Sequence, residues 1–210
     1  MPIPAKICGL TRPEDAEAAV RFGASYLGVI FAGGPRQVSP EQAGAIVKVA
    51  GQVPVIGVFG SRAAEEILWV RDQAGLAGAQ LHGGATPELV GRLLAAGLFV
   101  LPVVRIAGDS DFDHLAQYQA LDCPVLIEPR VEGKLGGAGV QLPTELAARA
   151  RDRLASGRMF LAGGLSPETV ADVVRAVRPD AVDVSSGVEQ IPGIKDHDRM
   201  ARFLEVLRWL

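Results

Sequence analysis

The amino-acid sequence predicts an α/β fold, a (β/α)8 barrel, on three observations. Short apolar, β-rich runs occur eight times: "IPAKIC", "YLGVIF", "PVIGVF", "GAQLHG", "LFVLPVV", "CPVLIE", "RMFLAGG" and "DAVDVSS". Amphipathic segments alternate with them at intervals of roughly 20 to 30 residues, the rhythm of parallel βαβ units. The chain has 210 residues, which accommodates eight such units, and no linker or low-complexity tract divides it. One barrel domain over residues 1–210 is therefore expected. An open doubly wound sheet is the competing architecture. It would place a dinucleotide fingerprint after the first strand, and "ICGLTRPEDA" contains none.

The elements follow in order. The run Ile3 to Ile7 reads as a strand that Gly9 breaks, which leaves Cys8 at its carboxyl tip. "TRPEDA" then has the grammar of a helix start: Thr11 as cap, Pro13 in the first turn, Glu14 and Asp15 at the positive end. Later helices are expected to open at Ser39-Pro40-Glu41, at Ser61, at Thr86-Pro87-Glu88 and at Ser166. Gly23, Gly75 and Gly97 suit left-handed helix ends. The weakest helical signal follows the sixth strand, where only "PTELAARARDRL" is present.

Composition bounds the function. Hydrophobic residues make up 49% of the chain and charged ones 21%, enough apolar material for a large core. Lysine and arginine number 21 against 24 acidic residues, a formal charge of -3 with no basic stripe, which argues against a nucleic-acid partner. No run approaches the roughly 20 apolar residues of a membrane helix, and the start lacks the pattern of a signal peptide. Two cysteines make no disulfide framework in a chain of this length, so a reducing, cytoplasmic setting is expected.

In a barrel of this kind, reacting groups lie at the carboxyl ends of the strands and in the loops beyond them. The polar residues that terminate the strands are Cys8, Arg36 in the following loop, His82, Arg105, Glu128, and Asp183 with Ser185 and Ser186. Gly163-Gly164 and Ser185-Ser186-Gly187 follow the last two strands, where bare backbone amides suit a phosphate. The glycine-rich loop 128–142 is expected to act as a lid over that mouth. Cys123, ahead of its strand, reads as structural. Asp196, His197 and Asp198 are spaced wrongly for a shared metal on a helical face and read as a charged first turn. Lys6 is expected to point away from Cys8, and the strand tips are expected to offer no catalytic lysine.

Several segments together carry a resemblance: "KICGLTRPEDA", "GGPRQVSPEQA", "QLHG", "LGGAG", "LAGGLSPETV" and "DAVDVSSGVE…PGIKDHDRM". In this order they resemble the phosphoribosylanthranilate isomerase family nearly from end to end. The resemblance implies an Amadori rearrangement in tryptophan biosynthesis, with no metal or organic cofactor. N-(5-phosphoribosyl)anthranilate would become 1-(2-carboxyphenylamino)-1-deoxyribulose 5-phosphate. It implies Cys8 as general base and the carboxylate ending the sixth strand as general acid. That carboxylate is usually aspartate; here it is Glu128, one methylene longer, with Glu132 as a weaker substitute. Arg36 resembles the arginine near the anthranilate carboxylate. His82 and Asp183 resemble residues that shape the site, and Gly163, Gly164, Ser185, Ser186 and Gly187 resemble the phosphate loops. The expected partner is a small phosphorylated substrate, in a monomer or homodimer. The competing readings are another ribose-phosphate barrel enzyme, which would use metal ligands or an interior lysine, and a silent phosphate-binding barrel within a biosynthetic complex.

Overall fold

The computed structural model describes residues 2–118, 120–121, 123–131, 140–155 and 157–210. Eight parallel strands close into a barrel in sequence order. They are β1 (Ala5–Ile7), β2 (Tyr26–Ile30), β3 (Val55–Phe59), β4 (Gly78–Leu81), β5 (Phe99–Ile106), β6 (Val125–Pro129), β7 (Met159–Leu161) and β8 (Ala181–Val184). The helices between them are α1 (Pro13–Phe22), α2 (Pro40–Ala50), α3 (Ala64–Ala74), α4 (Pro87–Ala95), α5 (Asp113–Ala116), α6 (Thr144–Leu154) and α7 (Val170–Val177). After β8 a small antiparallel hairpin, β9 (Glu189–Ile191) and β10 (Ile194–Lys195), precedes the last helix, α8 (His197–Arg208).

Local chemistry explains some of these starts and not others. Ser39 caps α2 in a reciprocal box with Gln42, and Thr86 accepts from the Leu89 amide at the start of α4. Thr11 does not cap α1; its hydroxyl donates instead to the Gly193 carbonyl at 2.5 Å, tying the first helix to the β9–β10 turn. Ser61 and Ser166 lie too far ahead of α3 and α7 to cap them. The segment after β6 forms an eleven-residue helix, α6, so the weak expectation there is met. The weak link lies one unit earlier, where a short 3-10 turn and the four-residue α5 take the place of a full helix.

Two apolar layers hold the fold. The larger lies between the strands and the ring of helices, and includes Ile7, Leu27, Ile46, Ile67, Leu93 and Phe203. The smaller fills the barrel interior with Leu101, Leu126, Phe160, Ala162 and Ala181, and Tyr26 stacks on Phe99 beside them at 5.5 Å. Closure comes from β1 against β8, with Lys6 opposite Asp183. The lower interior is therefore apolar, and polar side chains concentrate towards the carboxyl ends of the strands. Among the described residues no helix is long and apolar enough to cross a membrane.

Candidate active site

Cys8 stands at the end of β1, its amide donating to the Val184 carbonyl of β8 at 2.8 Å. The side chain is buried, and so is that of Lys6. Residues two apart on a strand share a face, so Lys6 points into the barrel with Cys8 rather than away from it. The expectation that Lys6 points away from Cys8 is corrected accordingly. Gly28 on the neighbouring strand makes room for both. A Cβ there would lie 2.8 Å from the Cys8 sulfur and 2.8 Å from Lys6 Nζ. Lys6 Nζ donates to Asp183 Oδ1 at 2.8 Å, across the seam that closes the barrel. Burial alone would pull the lysine pKa down, but the charges of Asp183 and Cys8 outweigh it and hold Lys6 protonated. Burial pushes the Cys8 thiol up, while the Lys6 ammonium pulls it back.

Across the same mouth stands Glu128, at the end of β6. Its Oε1 lies 3.0 Å from His82 Nε2, without the alignment of a hydrogen bond. Four buried side-chain polar atoms lack a hydrogen-bond partner among the described residues: Gln80 Oε1, His82 Nε2, Glu128 Oε1 and Ser185 Oγ. All four residues line one cavity of about 310 Å³, together with Cys8, Arg36 and Asp183. Buried polar groups are normally satisfied, and an orphan costs roughly 1–3 kcal/mol. Four orphans around one cavity mark it as built for a polar guest.

Arg36 reaches the cavity from the loop after β2. Its guanidinium is gripped from behind by Glu189, with Nε at 2.9 Å and Nη2 at 2.7 Å. Glu189 also accepts from Lys195 Nζ at 2.9 Å. Lys195 is wholly buried and gives its remaining donors to the carbonyls of Cys8, at 2.7 Å, and Ser185, at 3.1 Å. Burial would raise the Glu189 carboxyl, but hydrogen bonds from Arg36 and the charge of Lys195 hold it below the usual carboxylate range. Glu189 and Lys195 were not singled out by sequence reasoning. The available signal was the quoted stretch "SSGVE…PGIKD", where the charged residues flank the β9–β10 turn.

The two glycine turns converge beside this cavity. Gly163, Gly164, Ser185, Ser186 and Gly187 line a second space of about 70 Å³, and Glu128, Asp183 and Ser185 line both. Gly163 and Gly164 take φ of 101° and 62°, in the left-handed region. Gly187 packs against the Leu165 carbonyl so closely that any Cβ would collide with it. The loops after β7 and β8 thus need their glycines to meet.

Other expected residues fall elsewhere. Arg105 lines a neighbouring groove, with His114, Tyr118 and Arg130, that shares His82 with the cavity. Cys123 is buried ahead of β6 and forms no disulfide among the described residues. Asp196 caps α8 by accepting from the Arg199 amide, and His197 Nε2 contacts Asp15 Oδ1 at 2.8 Å, as suits a charged first turn. The central part of the expected lid, 132–139 with Glu132, lies outside the described residues; Pro129, Val131 and Val140 at its ends line the smaller cavity.

The family model for N-(5'-phosphoribosyl)anthranilate (PRA) isomerase matches residues 5–206. This chain belongs to that family. A relative of that name from Symbiobacterium thermophilum is 39% identical over 216 residues, covering 95% of each chain. The crystal structure of phosphoribosyl anthranilate isomerase from Thermotoga maritima superposes with a TM-score of 0.89 at 35% identity. It covers 99% of this chain and 100% of its own. A phosphoribosyl anthranilate isomerase in complex with reduced 1-(o-carboxyphenylamino)-1-deoxyribulose 5-phosphate matches at a TM-score of 0.86 and 34% identity. That match covers 99% of this chain and all of the other. The PRA isomerase fold therefore extends over the whole barrel that holds Cys8 and Glu128.

Proposed function

We propose that the chain catalyses the Amadori rearrangement of N-(5-phosphoribosyl)anthranilate in tryptophan biosynthesis, with Cys8 as base and Glu128 as acid. The observation that carries the assignment of residues is one cavity bearing both groups, ringed by orphaned polar atoms and open to the paired glycine turns. The 5-phosphate takes the amides around Gly163, Gly164, Ser185, Ser186 and Gly187. The sugar then lies between β1 and β6, and the anthranilate carboxylate faces Arg36.

The chemistry follows from this placement. Glu128 gives its proton to the furanose ring oxygen as the C1–O bond breaks, and the anilinic nitrogen's lone pair forms the Schiff base. Cys8, as thiolate, removes the proton from C2, and those electrons neutralise the iminium to an enolamine. Loss of the C2 hydroxyl proton and protonation at C1 deliver the ketone. Only protons move, so the scheme needs no metal or organic cofactor. Burial makes the Cys8 thiolate a strong base but a scarce one; the adjacent Lys6 ammonium sustains its population. His82 Nε2, 3.0 Å from Glu128 Oε1, is read as a polar neighbour of the acid. Asp183 acts through Lys6 as well as on the ribose. The expected setting is the cytoplasm, as one barrel domain in a monomer or homodimer.

The test is turnover of freshly prepared substrate, followed by loss of its fluorescence. Cys8→Ser and Glu128→Gln are expected to lower kcat by about 100-fold or more, the size of a lost general acid or base, with product-analogue binding retained. Undiminished turnover in either variant removes that residue from its role.

A further inference from the structure

Arg36 is tied into a three-charge chain, and the balance of that chain has a consequence for specificity. The guanidinium is held two-pronged by the buried Glu189 through Nε and Nη2. A pair of this kind is electrically neutral, and a neutralised arginine attracts a carboxylate weakly. The third charge restores the attraction. Lys195 Nζ, wholly buried, donates at 2.9 Å to Glu189 Oε1, the same oxygen that accepts from Arg36 Nε. With Lys195 protonated, the chain Arg36–Glu189–Lys195 carries a net charge of +1, and only its Arg36 end lines the cavity. Arg36 Nη1 makes no hydrogen bond among the described residues and remains available as a donor.

We propose that Lys195 is a specificity-determining positioning residue: acting through Glu189, it makes Arg36 a site for the aromatic carboxylate of the substrate. Lys195 touches no substrate. It offsets the Glu189 charge, so that Glu189 fixes the orientation of the guanidinium without cancelling its field. The same ammonium holds the Cys8 and Ser185 carbonyls, at 2.7 and 3.1 Å, which keeps this charge in register with the base and the phosphate loop. The inference rests on the reading of Arg36 as the residue that meets the carboxylate.

The experiment compares kcat/KM for N-(5-phosphoribosyl)anthranilate and for N-(5-phosphoribosyl)aniline, which lacks the carboxylate. Lys195→Met is expected to lower the ratio of the two values about tenfold, the effect of deleting one charge near a partly buried site. Glu189→Gln removes the opposing charge and is expected to raise the ratio or leave it at the wild-type value, never to lower it. A purely structural role for Lys195 predicts equal losses on both substrates, and that result overturns the proposal. Should Lys195→Met fail to fold, a Glu189→Gln ratio below wild type does the same. Arg36→Met separates the two layers. If it collapses the ratio while Lys195→Met does not, the Arg36 reading stands and the inference falls. If Arg36→Met leaves the ratio unchanged, the Arg36 reading itself is wrong and the inference falls with it.

Discussion

At the scale of single residues, the thiol depends on a neighbour that strand alternation places beside it. Lys6 and Cys8 share a face of β1, and both crowd the space that Gly28 leaves free. Burial pushes the thiol up first; Lys6 opposes it, and Asp183 acts in the same direction as burial. Lys6→Met removes the opposing charge and strips Asp183 of its partner, so both changes raise the thiol pKa. We expect the pH midpoint of Cys8 alkylation by iodoacetamide to rise, and the acid limb of kcat to move up with it. An unchanged midpoint would show that the ammonium does not act on the sulfur. This neighbour was legible in principle from the "KIC" spacing alone. What the sequence did not disclose was the ion pair to Asp183, since it joins residues at opposite ends of the chain.

At the scale of elements, the strands were legible because their apolar runs are short and bounded by turns, and the mouth residues followed from strand ends. Capping residues were legible only where they directly precede the helix, as at Ser39 and Thr86, while α1 starts at Pro13 with Glu14 and Asp15 in its first turn as expected. Thr11 fails as a cap because Arg12 holds the N-cap position of α1, and the Thr11 hydroxyl donates instead to the Gly193 carbonyl. The hairpin itself was unread, because β9 and β10 together hold five residues and carry no alternation long enough to register. Of the candidate site, Cys8, Arg36, His82, Glu128 and Asp183 converge on one cavity as expected, whereas the brace formed by Glu189 and Lys195 emerges only in three dimensions. The glycines carry an element-scale prediction. Gly187→Ala would drive a Cβ into the Leu165 carbonyl, and backbone cannot yield as a side chain does. The loops after β7 and β8 must then part. We expect the inhibition constant of inorganic phosphate to rise at least tenfold, while the far-UV circular dichroism of the barrel is kept. Unaltered phosphate inhibition would separate this junction from anion binding.

At the scale of the whole molecule, the barrel closes where the first and last elements meet, and Asp15 is the polar tie behind that seam. Its buried carboxylate accepts from Arg12 at 2.7 and 3.0 Å and from the Lys195 amide at 3.2 Å, and it contacts His197 at 2.8 Å. It thereby binds α1 to β10 and to the start of α8, while Thr11 and Gly193 join the same elements alongside. Burial would raise the Asp15 carboxyl, but the hydrogen bonds from Arg12 and His197 prevail and lower it. A carboxyl lowered in the folded state stabilises the fold above its unfolded value of about 3.9, and that contribution is lost as pH falls through the folded value. Asp15→Asn keeps the shape and removes the charge. By urea unfolding at pH 7 it is expected to cost about 2–4 kcal/mol, the range for breaking a buried, hydrogen-bonded ionic group by changing one partner. Titration below pH 4 should narrow the gap between wild type and variant, because the wild-type carboxyl then takes up a proton of its own. A gap that stays constant down to pH 2.5 would assign the cost to lost hydrogen-bond geometry. The seam would then be held by shape and not by charge.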